Sequence, residues 1–310
     1  MPKNGGQVYS RWTGGSLIFY PGERGYGNEW FVDSVNGATT NDGKTWEGAL
    51  KTIAAAVALA SAGDTVYIRG SFTEAVVVSL AGLRIIGCGS RPKESQWTAA
   101  ADAKALTISA NYVEVANIYF SPPAYSAGTP AAIQLGNANY AFIHHCRFQG
   151  KTASHNAIYS PVCNSDNVEI SDCDFHYMNT ATHGAAILGV EAGGLSYSGW
   201  RILRNTFFSC VTAVNINGRV CRVEGNTFME YGIAAAGTLG AVCTKGLDLS
   251  GTSSGANVVC GNIMQGDYDS DSGLYTAGAS GDCWMGNFAS DVAETEVDTT
   301  TGLTIAVPAV

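Results

Sequence analysis

Glu169, Asp172 and Asp174 place three carboxylates within six residues, and Arg201 and Arg204 follow in the next segment of similar pattern. Paired carboxylates are the usual general acid and base at a glycosidic bond, and grouped acids can also hold Ca²⁺. The bland reading stands beside this one. Every acid here has a basic residue at a matching offset, so the group can equally be a self-neutralised surface. Which reading holds depends on the elements that carry these side chains.

The acids lie in Val168-Glu169-Ile170-Ser171-Asp172-Cys173-Asp174-Phe175, and the same frame returns at Trp200–Phe207 and Cys221–Phe228. Apolar residues fill the first and third positions, Cys or Asn the sixth, a large apolar residue the eighth. No helix has that period. A strand that alternates, turns a tight corner at the Cys or Asn and then resumes does have it. Anchored on the sixth position, the frame runs Cys88, Ile118, Cys146, Cys173, Asn205, Asn226, Asn262, Asn287, with phenylalanine or methionine at the eighth from Phe120 to Met264. In the last two frames Asn257 and Asp282 occupy the first position and degrade the pattern. The fold expected from the frame is all-β: a single parallel β-helix over residues 29–290, with companion strands such as 132–135, 186–190 and 246–249; its right hand is what the family resemblance given below implies.

Stacked coils turn each frame position into a column. Cys88, Cys146, Cys173, Asn205, Asn226, Asn262 and Asn287 then form a structural ladder, amides bonding to amides and sulfur filling the apolar half. A reduced Cys146–Cys173 stack is expected rather than a disulfide. The outward columns pair Arg147 with Asp174, His145 with Asp172, Asp172 with Arg204 and Glu169 with Arg201.

Composition fits a stacked rod. Charged residues make up 14% of the chain and glycine numbers 38, against a usual charged share of about 25%. A net charge of −9 without a Lys/Arg cluster argues against nucleic-acid binding. The nine cysteines are scattered without a CxxC pair, which suits buried thiols in a reducing compartment. No signal peptide and no long apolar span is visible, so a membrane partner is not expected. Asp267-Tyr-Asp269-Ser-Asp271-Ser-Gly273 starts like an EF-hand loop, but its glycine is one place late and Gly278 stands at the twelfth position, so no metal site is assigned. His155, His176 and His183 read as surface histidines. Tyr125, Tyr159, Tyr177, Tyr197 and Trp200 are candidates to line a sugar groove, Trp200 also fitting the core.

Residues 1–28 form a Gly- and aromatic-rich arm. Tyr9, Trp12, Phe19 and Tyr20 would dock on a neighbouring subunit, unless the arm is a free terminus. A helix is expected over about 49–61, and residues 291–310 form a tail that either caps the rod or joins a partner's sheet. Asp33-Ser-Val-Asn-Gly37, Asn41-Asp-Gly43 and Gly63-Asp64-Thr-Val-Tyr-Ile68 resemble the N-terminal segment of pectate-lyase-like right-handed β-helix proteins, in which the helix closes the open end of the coil.

The resemblance implies two classes of function. Lyases of the superfamily set Ca²⁺-binding acids and a basic residue on one face, which Asp172, Asp174, Glu169 and Arg204 would imitate. Its bacteriophage members resemble this chain in the N-terminal segment and in Thr300–Pro308. The principal expectation is a non-enzymatic structural virion protein. It would be a capsid-decoration, fibre or spike-like component, assembled in the host cytoplasm as a trimer without a cofactor and touching the major capsid protein. The alternative is a carbohydrate-active enzyme or a module binding host surface glycans.

Overall fold

A computed structural model describes residues 27–89, 94–98, 103–121, 131–150, 156–178, 185–190, 194–229, 245–251, 253–265, 275–276 and 281–290, with backbone strands also at 12–13, 16–17 and 304–305. The chain winds as a solenoid with three faces. The first face stacks strands from Glu29–Asp33 through Arg84–Gly87, Glu114–Ala116, Phe142–His144, Glu169–Ser171, Arg201–Leu203, Arg222–Glu224 and Val258–Cys260 to Cys283–Met285. The second begins with the last residues of strand Thr65–Thr73 and runs through Ser95–Thr98, Tyr119–Ser121, Arg147–Gln149, Asp174–His176, Thr206–Phe208 and Thr227–Met229 to Ile263–Gln265 and Phe288–Ser290. The third begins at Val76–Val78 and ends at Tyr275–Thr276. All these pairings are parallel, because each strand meets its equivalent one turn of chain later.

The corners follow one device. Asn117, His145, Asp172 and Arg204 are left-handed, with φ between 53° and 56°, and Gly225, Gly261 and Gly286 take the equivalent place in later coils. A left-handed residue costs about 1–2 kcal/mol unless it is glycine. The stack tolerates this because the bend directs the corner N–H to the next coil: Asp172 to Leu203 O, Arg204 to Glu224 O, Gly225 to Cys260 O. The residue after each bend points inward.

Those inward residues make the core columns. Trp97, Phe120, Phe148, Phe175, Phe207 and Phe228 stack ring on ring, with centroids 4.8–5.8 Å apart, the spacing the strands themselves impose. Beside them runs the amide ladder. Asn226 Oδ1 accepts from Asn205 N and Nδ2 at 2.8 and 3.1 Å, and its Nδ2 donates to Ile202 O and Asn262 Oδ1 at 2.9 and 3.0 Å. All four hydrogen-bonding positions of that buried amide are thus filled. Asn262 repeats the pattern onto Asn287, and Asn205 Oδ1 receives Cys173 N. Cys146 and Cys173 are buried free thiols, and burial, with Cys146 alongside, pushes the Cys173 thiol well above its usual range.

Two expectations need correction. Cys88 is not in the inward column: it is half-buried, and Ser95 stands in register below Ile118, fully buried and donating to Ile68 O and Cys88 O. In this coil Ser95, seven residues after Cys88, takes the inward place. Asn257 and Asp282 do not degrade the frame. Asn257 Oδ1 accepts from Cys221 N, while its own N and Nδ2 donate to Asp282 Oδ1, so a second ladder replaces apolar filling there.

At the N-terminal end the helix spans Ile53–Leu59, shorter than expected. Leu50 is instead extended, its N–H on Phe31 O and its carbonyl accepting from Asp33 N. Thr52 caps the first turn through Ala55 N, and the Glu74 carboxylate accepts from Ile53 N and Ala54 N. Ile53 and Ala56 are buried against the first coils. The motif aspartates act as clamps. Asp33 accepts from Val35 N, Asn36 N and Nδ2 and Arg69 Nε; burial alone would raise its pKa, but these donors hold it well below the carboxylate range. Asp64 binds Trp30 Nε1, Asn28 N and Ser61 N. At the far end Thr304–Ile305 pairs in parallel with Cys283–Met285.

Replacing Asn226 by Ala strands donors on one side and a carbonyl on the other, so a loss of roughly 2–4 kcal/mol is expected at about 1–3 kcal/mol per orphaned group. Phe175→Ala is expected to lose about 3–5 kcal/mol. Denaturant unfolding of each variant measures both, and an Asn226→Ala protein as stable as the parent would show that the ladder contributes nothing.

Candidate functional site

The three clustered carboxylates lie on different faces. Glu169 sits on the first face and is 7% exposed; its Oε2 receives Arg201 Nε and Nη2 at 3.0 and 2.8 Å, and its Oε1 receives Ser171 Oγ. Asp172, at the corner, is held by Arg204 through two 2.8 Å bonds, and the Arg204 pKa rises mainly because of that hydrogen bond. Further along the same face, Glu114 bridges Arg84 and His144 at 3.1 Å each, and His144 meets His145 ring to ring. This face is charge-compensated, and among the described residues no group of three His, Cys, Asp or Glu is placed to hold a metal.

Asp174 stands round the corner on the second face, exposed, and the expected Arg147–Asp174 pair is not made. The two residues are in register, but Arg147 Nη2 turns to Gln149 Oε1 on its own strand, 3.2 Å away. Its Nε is buried with no partner. Hydrogen bonding within one strand here wins over a cross-coil pair whose acid stays in water.

The second face therefore gathers polar and aromatic side chains from four successive coils. Tyr119, Arg147 and Asp174 follow one another in the first outward column; Ser121, Gln149, His176 and Phe208 make the second. His176 is half-buried in a strand rather than on a surface loop. Burial lowers its pKa, Arg147 lowers it further, and Asp174 partly opposes them, so the imidazole is neutral at pH 7 and able to accept a proton. Phe208 and Tyr177 meet edge to face at 5.4 Å beside it. Tyr119 flanks the other side, its phenol raised by burial, Arg147 opposing. The face thus presents a guanidinium with an unused donor, an amide, a neutral imidazole and a carboxylate between aromatic walls. Over three coil steps this spans roughly 14 Å at ~4.8 Å each. The readable signal for this face is the frame position four residues after the corner, filled by Gln149, His176 and Phe208, together with Arg147 and Asp174 two residues before it.

Other expectations resolve unevenly. Tyr197, Trp200 and Tyr159 are buried, Tyr197 OH donating to Ser160 O and Trp200 Nε1 to Ser165 O, so they support the core instead of lining a groove. Trp12 falls in a short strand paired with Ser16–Leu17. Tyr9, Phe19, Tyr20, Tyr125, His155, His183 and the 267–273 loop lie outside the described residues. Among those residues no helix is long and apolar enough to cross a membrane.

Because the folded-state pKa of His176 lies below the ordinary 6.5, its neutral form favours folding above that pH, and this contribution is lost as pH falls from about 6.5 toward the lowered value. Replacing Arg147 by Gln is expected to raise the His176 pKa and Asp174→Asn to lower it further. Both shifts are read from the imidazole resonances in an NMR pH titration.

No family model and no curated protein matches the chain. Solved structures do. The chain is similar to a GH136 lacto-N-biosidase from Eubacterium ramulus, with a TM-score of 0.60 and 14% identity over 84% of this chain. It spans little over half of that enzyme, 56%. A Bacillus subtilis pectate lyase gives a TM-score of 0.55 at 12% identity, covering 89% of this chain and 84% of the other. A rhamnogalacturonan lyase gives 0.54 at 14%, covering 87% and 74%. Identities this low speak to architecture. Three parallel faces, one strand per face per coil and these neighbours agree: the chain has the right-handed parallel β-helix fold of the pectate-lyase-like proteins.

Proposed function

We propose that the chain is a carbohydrate-active or carbohydrate-binding β-helix protein that engages a polysaccharide along its second face. The observation that carries this reading is Arg147, whose Nε is buried without a partner and which makes no pair with the in-register Asp174. A buried donor left empty costs free energy, so a small shift of this guanidinium that brings it onto a ligand oxygen is favoured. Arg147 and Gln149 supply donors, Tyr119, Tyr177 and Phe208 supply flat walls, and neutral His176 supplies a proton acceptor beside the Asp174 carboxylate. The known carbohydrate-acting proteins of this fold support the reading. The first-face acids are not assigned chemistry, since Asp172 and Glu169 are already committed to Arg204 and Arg201.

A second reading is a non-catalytic component of a bacteriophage particle, trimeric and seated on a capsid or tail. The charge-compensated first face favours it, as a surface able to pack without leaving charge unpaired. It requires a threefold oligomer, and sedimentation as a monomer would remove it.

The primary reading is tested by titrating the protein with purified bacterial surface polysaccharides and following reducing ends. Arg147→Ala is expected to weaken binding at least tenfold, about 1.4 kcal/mol, while Arg201→Ala stays within twofold. If chains are cut, His176→Ala is expected to slow cutting by about 10²–10⁴. Second-face variants that bind as the parent does would reject the site.

A further inference from the structure

The corner between the third and first faces carries a feature that the second-face site does not use. Its left-handed residues stack as Gly63, Gly82, Tyr112, Tyr140, Asn167 and Gly199, linked by backbone bonds from Gly82 N to Asn111 O, Tyr112 N to Asn139 O and Tyr140 N to Asp166 O. Tyrosine is an unfavourable choice for a left-handed φ of 62° or 58°, which glycine or asparagine adopts readily. Both tyrosines are nevertheless there, 60% and 49% exposed, with rings stacked at 4.9 Å and 8° from parallel. They pack nothing into the core, so the strain is not offset by burial.

Among the described residues the stack is open on one side. The next two steps toward the N-terminal end are glycines. A Cβ on Gly82 would meet only Gly63 backbone, at 3.6 Å, and one on Gly63 would meet nothing within 4 Å. The outer face of Tyr112 therefore borders an empty step of the ladder, one coil spacing (~4.8 Å) high, floored by bare backbone. Asn111, half-buried, precedes Tyr112 in the chain, and its backbone carbonyl accepts from Gly82 N.

We propose that this step is a stacking site for one neutral hexopyranose ring, seated on Tyr112 above Gly82 in continuation of the tyrosine ladder. The spacing admits a single saturated ring between Tyr112 and the Gly63 step. The C–H face of a pyranose suits an aromatic face, and its hydroxyls reach water. No charged side chain belongs to the column at these steps, which sets the ligand apart from an acidic sugar. The site rests on the polysaccharide reading for the kind of ligand, but not on the second face for its binding.

The test uses cellohexaose and mannohexaose as probes, followed by saturation-transfer NMR and calorimetry on the full chain. Tyr112→Gly removes the ring and relieves the backbone. Gly82→Asn fills the step with a residue that Asn117 and Asn167 show to be compatible with this conformation. Both variants are expected to keep the parent's melting transition and to lose at least tenfold in affinity, with the ring-face protons of the sugar losing saturation. Arg201→Ala, outside both sites, is expected to leave hexaose binding within twofold, and Tyr112→Gly to lower hexaose affinity while the Arg147-dependent polysaccharide affinity stays, which separates this site from the second face. The proposal is overturned if the parent binds neither hexaose, if Tyr112→Gly binds as the parent does, or if adenosine displaces the sugar and binds more tightly, which would mark the step as a slot for a planar base.

Discussion

The amide and carbonyl groups of every strand point along the rod axis, so each coil hydrogen-bonds only to the coil before it and the coil after it. A single coil encloses too few side chains to bury anything by itself. Order therefore comes from repetition at one fixed distance. Phenylalanines stack because strands are one ring-thickness apart, and asparagines bridge because an amide spans the same gap. The left-handed corners persist for that reason too: a residue such as Arg204 is held in an unfavourable backbone region by the bonds its neighbours make to the adjacent coils. Where the next coil is missing, other groups substitute, as the helix and the Asp33 and Asp64 clamps do at the first end.

Most of the architecture was legible because repetition leaves a trace. The frame around Val168–Phe175 located the first- and second-face strands and the Asn205–Asn287 ladder. It failed where the inward place passes from Cys88 to Ser95, since a period shows spacing but not which residue is displaced. Asn257 and Asp282 misled for a related reason. Polar residues at an inward position look like decay unless the column is known to supply their partners. The helix was overextended because alanines favour helix in isolation, while Leu50 is claimed by the first strand.

The candidate site was harder to read, because surface chemistry depends on which of several possible partners a side chain takes. Sequence offsets made Arg147–Asp174 and Arg204–Asp172 look equivalent. The second pair forms and the first does not, and that single difference moves the interesting chemistry from the first face to the second. His176 was passed over as a loop residue, yet its strand position beside Arg147 is what lowers its pKa. Tyr112 and Tyr140 carried no signal at all, since nothing in a sequence announces a left-handed tyrosine.

The asparagine ladder also has a direction. In each step the side-chain oxygen receives from the preceding coil while the side-chain nitrogen gives to the following one. The amides thus line up head to tail, as peptide units do in a helix, and their dipoles add along the column. Such a column has an electropositive end where its last N–H groups emerge. The shorter ladder shows how the chain treats that end: the donors of Asn257 point at Asp282, an acceptor that needs no donor of its own. The rod is therefore electrically polar along its length, and in this column a buried carboxylate closes the circuit.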